Sequence, residues 1–168
     1  MASRTEGATM IYRDTVKAEW VDYNGHLRDA FYMLIYSLAT DAFMDRIGLD
    51  AAGRRARQRT LYTLEAHVSY LREIKEGAAV RVEARVIAHD RKRIHLYLEM
   101  FEGDSAEPVS ACEQMLMHID TGGAPKSASF DADVAARIAA EPTVAPEHAR
   151  HAGRVIGLPA RASSTAPA

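Results

Sequence analysis

The chain has 168 residues, 48% of them hydrophobic and 26% charged, with a formal net charge of −2. That length holds one domain with a real core rather than two, and the balance is that of a globular protein with no basic face for nucleic acid. Cys112 is the single cysteine, which excludes an intramolecular disulfide framework and a cysteine zinc cluster.

In chain order, residues 10–20 read as a first strand, with Ile11, Tyr12, Thr15, Val16 and Trp20 suiting a pleated surface. The run Trp20-Val21-Asp22-Tyr23-Asn24-Gly25-His26 then leads into a helical segment over 27–47. Its apolar positions are Leu27, Phe31, Leu34, Ile35, Leu38 and Ala42. Tyr32, Met33, Tyr36 and Phe43 add apolar surface on other faces, the mark of a helix buried around most of its circumference. Gly48 suits the position after the last turn, and 50–59 reads as a charged, Arg-rich loop.

Beyond that loop the period changes from 3.6 to 2. Residues 60–71 alternate Tyr62, Leu64, Ala66, Val68 and Tyr70 against Thr63, Glu65, His67 and Ser69. Residues 79–89 and 94–101 alternate likewise, and 109–119 shows an apolar face of Val109, Ala111, Met115, Met117 and Ile119 interrupted by Glu113. The linkers over 73–77, 90–93 and 102–108 are short enough for hairpins, which predicts an antiparallel meander. An apolar helix and a half-apolar sheet must bury each other. The fold class is therefore α+β, a long central helix wrapped by an antiparallel sheet of about five strands. A short amphipathic helix is expected over 131–140, capped by Ser129 or Asp131. The domain is expected to span 10–140, with 141–168, which holds four of the six prolines, as an extended tail. The apolar run Val155-Ile156-Gly157-Leu158-Pro159 is the part of that tail suited to dock on the body. The polar start of the chain lacks the apolar stretch of a signal peptide, and no run approaches ~18 uncharged apolar residues, so a cytoplasmic protein with no membrane partner is expected.

The heptapeptide places a carboxylate, an imidazole and a glycine hinge where an extended segment gives way to a helix. A helix N-terminus offers unpaired N–H groups and a partial positive charge, which suits a developing oxyanion. Asp-x-x-Gly is also an ordinary turn former; Asp22 fits both readings.

The strand, Asp-x-x-Gly-His, helix and four-strand order over residues 12–120 resembles the hotdog-fold thioesterases of the 4-hydroxybenzoyl-CoA thioesterase-like branch. The specific parts are Asp22-Tyr23-Asn24-Gly25-His26 and Glu65-Ala66-His67-Val68-Ser69-Tyr70-Leu71 followed by Gly77. More narrowly, 20–26 and Glu113-Gln114-Met115-Leu116-Met117-His118-Ile119-Asp120 are similar to the thioesterases of carnitine catabolism. Those include betainyl-CoA thioesterases and the thioesterase domains fused to carnitine dehydrogenase. The resemblance implies a helix wrapped by a sheet, homodimers or dimers of dimers with continuous sheets, and acyl-CoA sites at the dimer interface. It implies catalytic use of the aspartate at the Asp22 position and no cofactor, CoA being part of the substrate. The chain departs from the pattern at Arg28-Asp29, where many relatives carry Asn-Asn.

Thioester hydrolysis needs a polarised carbonyl and an activated oxygen nucleophile. Backbone N–H groups of Gly25, His26 and Leu27 are expected to hold the carbonyl oxygen, each worth about 3 kcal/mol in the transition state. Asp22 either attacks directly or activates a water, and Asn24 orients that water or the carboxylate. His26 orients the helix start, contacts substrate, or packs. Glu65 is a second catalytic group across the dimer interface or half of an interface salt bridge. Trp20, Tyr23, Tyr32, Tyr36 and Tyr62 lie on elements that meet at the corner. They are candidates for an aromatic cage around a trimethylammonium group, each contact worth roughly 0.5–2 kcal/mol, against the plain reading of core residues. Arg91-Lys92-Arg93 at a hairpin tip, or Arg54-Arg55, are candidates to pair with the phosphates of CoA. His67, His95 and His118 read as facing outward, and without a His-x-His or His-x3-His pair no metal is expected. The expected function is hydrolysis of a short acyl-CoA, betainyl-CoA foremost. The alternatives are a thioesterase for aromatic or medium-chain acyl groups, or a non-catalytic hotdog binding protein.

Overall fold

Among the described residues the strands form one antiparallel sheet of six. The computed structural model describes residues 7–158. In it β1 (Thr9–Thr15) is followed by α1 (Asp29–Arg46), α2 (Ala51–Arg57), β2 (Arg59–Tyr70), β3 (Ala79–His89), β4 (Arg93–Glu102), β5 (Pro108–Asp120), the two-residue β6 (Lys126–Ser127) and α3 (Ala132–Ala139). The strand order is β1-β3-β4-β5-β2, with β6 paired to the end of β5. No helix among the described residues is long and apolar enough to cross a membrane.

The first strand ends earlier than its composition predicts. Residues Ala18–Trp20 form a 3-10 turn, because Trp20 folds inward, 5% exposed, and stacks on Phe31 at 5.9 Å. The segment expected as an Arg-rich loop contains α2 instead. The Asp50 carboxylate caps it by accepting the Gly53 N–H at 2.6 Å, and Gln58 ends it at φ +53°. α2 buries no side chain, so it lacks the apolar periodicity that reveals a helix in sequence.

β3, β4 and β5 make the expected meander, but β2 is not part of it: β2 pairs with β5 at the far edge, and β3 pairs with β1. The linker after β2 is therefore a crossover and not a hairpin. Its anchor is Ile74, 1% exposed, whose carbonyl accepts the Leu27 N–H at 2.9 Å. The Glu76 N–H bonds the Gly25 carbonyl at 3.2 Å and the Gly77 N–H bonds the Val16 carbonyl at 2.9 Å. The crossover is thereby laid over the start of α1.

α1 lies in the curl of the sheet and buries Tyr32, Ile35, Tyr36, Ala39, Thr40, Phe43 and Met44. This i, i+3, i+4, i+7, i+8 stripe packs in one core with Val82, Ala84, Leu96, Leu98, Met100 and Leu116. Truncating a core side chain such as Phe43 to Ala costs about 3–5 kcal/mol. The stripe is rotated from the expected one: Leu34 is 39% exposed and Leu38 half-buried, because one concave sheet face covers only part of the helix. Gly48, at φ +89°, follows the last turn, and a Cβ there would fall 2.9 Å from Arg137 Nη1. α3 starts after Asp131, whose carboxylate pairs with Arg57 at 2.8 Å instead of capping the helix. Beyond α3, Thr143 bridges Val86, Val144 packs against the outer face of the sheet, and the Gly153 N–H bonds Glu113 at 2.7 Å. Val155, Ile156 and Leu158 are at least 90% exposed and undocked, and Pro159 lies outside the described residues.

β5 turns the opposite face to the helix from the one its apolar residues suggest. Cys112, Gln114, Leu116 and His118 face inward and are buried, while Glu113, Met115 and Met117 face outward. Ser110 and Gln114 on that inward face are hydrogen-bonded. Thr40 Oγ1 bonds the Gln114 side chain at 2.9 Å, tying α1 to β5, and Ser110 Oγ donates to the Ser69 carbonyl at 3.0 Å. His118, expected to face outward, is fully buried against Phe130, and its Nδ1–H donates to the Ala128 carbonyl at 3.0 Å. Its Nε2 has no partner among the described residues, so protonation would bury an unpaired charge, and burial lowers its pKa. The unfolded chain takes up that proton near the ordinary histidine value of about 6.5, where the folded chain resists it. Stability from His118 is thus present at neutral pH and lost as pH falls below about 6.5. We expect Tm to drop between pH 7.5 and 5.5 in calorimetry, and His118→Gln to shrink that drop while lowering Tm at pH 7.5. An unchanged pH dependence in the variant would assign the effect elsewhere, for example to His151, whose pKa burial also lowers.

Candidate active site

Residues 21–27 form a closed loop between β1 and α1. Val21 and Leu27 bridge, the Asp22 N–H donates to the His26 carbonyl at 2.8 Å, and the Gly25 N–H donates to the Asp22 carbonyl at 3.0 Å. Gly25 sits at φ +76° with open space where a Cβ would be, so the requirement for glycine here is conformational, about 1–2 kcal/mol. Asp22 Oδ1 accepts the N–H groups of Asn24 at 2.8 Å and His26 at 3.1 Å. These bonds, that from His26 foremost, hold the carboxyl below its ordinary pKa, so Asp22 is an anion at neutral pH. A fixed, accessible carboxylate can act as nucleophile or as general base.

The three amides expected to hold a carbonyl oxygen are already committed. Those of Gly25 and His26 bond to Asp22, and that of Leu27 bonds to the Ile74 carbonyl. The Asp29 N–H, first of α1, has no partner among the described residues. It is the helix-start donor left for an oxyanion. Asn24 is exposed, with only its backbone engaged by Asp22. His26 is half-buried and lies 3.6 Å from the Glu73 carboxylate, so it links the loop to the crossover.

Beside this loop is a cavity of about 280 Å³, lined by Leu27, Asp29, Tyr32, Tyr70, Leu71, Arg72 and Glu73. Both elements that form it come together only through the crossover. Tyr32 and Tyr70 meet edge to face, 5.2 Å between ring centres and 85° between planes, and the Tyr32 hydroxyl donates to the Arg72 carbonyl at 3.2 Å. A larger cleft of about 460 Å³ opens on the outer sheet face around the buried Arg85–Glu99 ion pair. It shares Leu71 and Arg72 with the first cavity but touches no part of the 21–27 loop.

Of the five aromatic residues expected around a ligand, Tyr32 alone lines the 280 Å³ cavity. Trp20 is buried between Phe31 and the Lys17 ammonium, which lies 4.4 Å from its ring. Tyr36 is sealed in the core, its hydroxyl beside Ser110, and Tyr23 is 94% exposed on the loop. Tyr62 lies opposite Met117 at the other end of β2, because a bulge between Thr63 and Glu65 reverses the alternation. Glu65 is exposed at that bulge, away from Asp22. Tyr70 is the residue that sequence reasoning missed: its alternation was visible, but its pairing with the helix start is non-local. Arg91, Lys92 and Arg93 stand at the β3–β4 tip, where Arg93 pairs with Asp90 at 2.6 Å. Within one chain the tip is far from the cavity: Arg93 pairs with Met117 and Tyr70 with Ser110, seven residues apart on β5, about 23 Å at ~3.3 Å per residue. Arg54 and Arg55 lie on α2 near Arg59, at that same far end. Among the described residues no group of three or more His, Cys, Asp or Glu side chains could hold a metal ion.

Comparison with known proteins bears on this geometry. Residues 16–138 match the model of the thioesterase-like superfamily. The chain is 48% identical over 150 residues to a betainyl-CoA thioesterase of Pseudomonas aeruginosa, covering 88% of this chain and 94% of that one. It is 42% identical over 106 residues to an L-carnitine dehydrogenase/betainyl-CoA thioesterase of Agrobacterium fabrum, covering 63% of this chain and 22% of that longer protein. Among solved structures, a Staphylococcus aureus protein in complex with CoA superposes with a TM-score of 0.80 at 31% identity, covering 94% of this chain and 100% of that one. The chain belongs to the thioesterase-like superfamily and has the hotdog fold.

Proposed function

We propose that this protein hydrolyses a short acyl-CoA thioester, betainyl-CoA foremost, to the free acid and CoA. The observation that carries this reading is a fixed, ionised Asp22 on the loop whose last residue, Leu27, lines a cavity of about 280 Å³, in a chain 48% identical to a betainyl-CoA thioesterase. That volume is at or below the lower end of small-molecule sites, roughly 300–1,000 Å³, and favours a short acyl group over an aromatic or medium-chain one. A binding protein without turnover has no need of an anionic carboxylate fixed on the loop that leads into a helix start with an unpaired amide.

In this mechanism the thioester carbonyl oxygen accepts the Asp29 N–H at the positive end of α1. Asp22 either takes a proton from a water as its oxygen adds to the carbonyl carbon, or adds directly to give an anhydride that water then opens. In both routes the C–S bond breaks, CoA leaves as the thiolate and takes up a proton, and no cofactor is required. His26 positions the loop through its backbone N–H bond to Asp22 and its ring contact with Glu73. We expect Asp22→Asn to keep its circular dichroism and to lose about two orders of magnitude or more in kcat, followed as CoA released from betainyl-CoA. Turnover within threefold of wild type would remove Asp22 from the mechanism.

The reading includes a homodimer. β2 is a sheet edge whose middle, from Tyr62 to Ala66, is exposed, with Tyr62 at 44% and Leu64 at 52%. A long apolar edge strand calls for a partner. A two-fold axis there pairs the strands antiparallel, which sets the Arg59 end of one β2 beside the Tyr70 end of the other. The partner's 91–93 tip then lies at the same end of the joined sheet as the acyl cavity, suited to the phosphates of CoA. Glu65 falls on this seam. Leu64→Lys is expected to turn the dimer into a monomer in sedimentation equilibrium and to weaken CoA binding with it. A dimer that survives the substitution would place the interface elsewhere. A cytoplasmic location is part of the same reading, since acyl-CoA substrates are found there.

A further inference from the structure

The cavity lined by Leu27 at the end of the 21–27 loop carries an excess of negative charge. Asp29 and Glu73 line it, and Arg72, the cation among the lining residues, is turned aside: its Nη2 donates to the Glu107 carbonyl at 2.7 Å and to Ser105 Oγ at 3.3 Å. Arg28, next to Asp29, is likewise held off, its Nε bonded to the Val21 carbonyl at 3.0 Å. Glu73 shares its charge with His26, while Asp29 Oδ1 bonds only the N–H of the next residue, Ala30, at 2.9 Å. Tyr32 is 3% exposed and presents one ring wall; Tyr70, 54% exposed, presents a second at right angles to it.

A quaternary ammonium makes no hydrogen bonds. It is bound by aromatic faces and by a nearby anion. It also meets an obstacle here, because the start of α1 is the positive end of the helix dipole and repels a cation. A full negative charge on the first residue of that helix offsets the repulsion. We infer that the 280 Å³ cavity is a cation-selective acyl subsite, with Asp29 as countercharge and Tyr32 and Tyr70 as its aromatic walls. Of the five aromatic residues that the sequence pointed to, this keeps Tyr32, sets aside Trp20, Tyr23, Tyr36 and Tyr62, and adds Tyr70 and Asp29. The assignment rests on the proposed thioester hydrolysis.

An aspartate at the first helical position also steadies a helix, so stability does not separate the two roles, whereas substrate discrimination does. The experiment compares kcat/KM for betainyl-CoA with that for 3,3-dimethylbutanoyl-CoA, which has the same shape with a carbon in place of the nitrogen. Wild type is expected to prefer the cationic substrate by at least about tenfold. Asp29→Asn and Tyr70→Leu should each erase most of that preference, and Tyr70→Phe should retain it. Equal efficiency of wild type on the two substrates overturns the cation subsite while leaving the hydrolase reading intact. A preference undiminished in Asp29→Asn overturns the role of Asp29 in the same way. Failure of wild type to hydrolyse either substrate overturns the hydrolase reading and the subsite together.

Discussion

The hydrogen bond from the Leu27 N–H to the Ile74 carbonyl, 2.9 Å, joins two segments that the rest of the structure depends on. It ties the crossover after β2 to the start of α1, with the Glu76 to Gly25 and Gly77 to Val16 bonds on either side. Because the chain is held there, β2 stays at the far edge of the sheet and β3 is delivered to β1. Because Ile74 is buried beneath that contact, the adjoining residues Tyr70 to Glu73 are set against Leu27, Asp29 and Tyr32. The 280 Å³ cavity is a product of this crossing and exists on neither segment alone.

The chemistry divides in the same way. The 21–27 loop is largely local: the amides of Asp22, Asn24, Gly25 and His26 bond to groups within the same seven residues, while the Leu27 amide and the Gly25 carbonyl reach the crossover. What makes it a site is its surroundings. The crossover uses up the Leu27 amide and leaves that of Asp29, it brings Glu73 to His26, and it supplies the second aromatic wall. A carboxylate in a turn is thus set on a loop that ends at a shaped, negatively charged cavity. The selectivity assigned to Asp29 depends on the same crossing, since Tyr70 would otherwise lie far from the helix.

Much of this was legible in the sequence where the signal is local. The change of period from 3.6 to 2 located the central helix and the strands β2 to β5, and Asp22 stood out with its Gly25 hinge. The illegible parts have particular causes. β5 was read with its faces exchanged because Ser110, Gln114 and His118 are polar yet buried, each hydrogen-bonded to another element. Tyr62 was grouped with Tyr70 because a bulge adds one residue between Thr63 and Glu65, and one residue reverses every side chain before it. α2 escaped because an exposed, Arg-rich helix has no apolar stripe. The expected Gly25 and Leu27 donors were named from the general property of helix starts, and the start in fact falls two residues after Leu27, at Asp29.

In the proposed complex the acyl group of the substrate lies in the cavity made by the crossover, with its thioester beside Asp22. The direct measurement is a crystal structure of the slowly turning Asp22→Asn variant soaked with betainyl-CoA. It should show the trimethylammonium group against the Tyr32 and Tyr70 rings and facing Asp29, and the thioester oxygen within hydrogen-bonding reach of the Asp29 N–H. An acyl group seated elsewhere, for example in the outer cleft around Arg85 and Glu99, would contradict it.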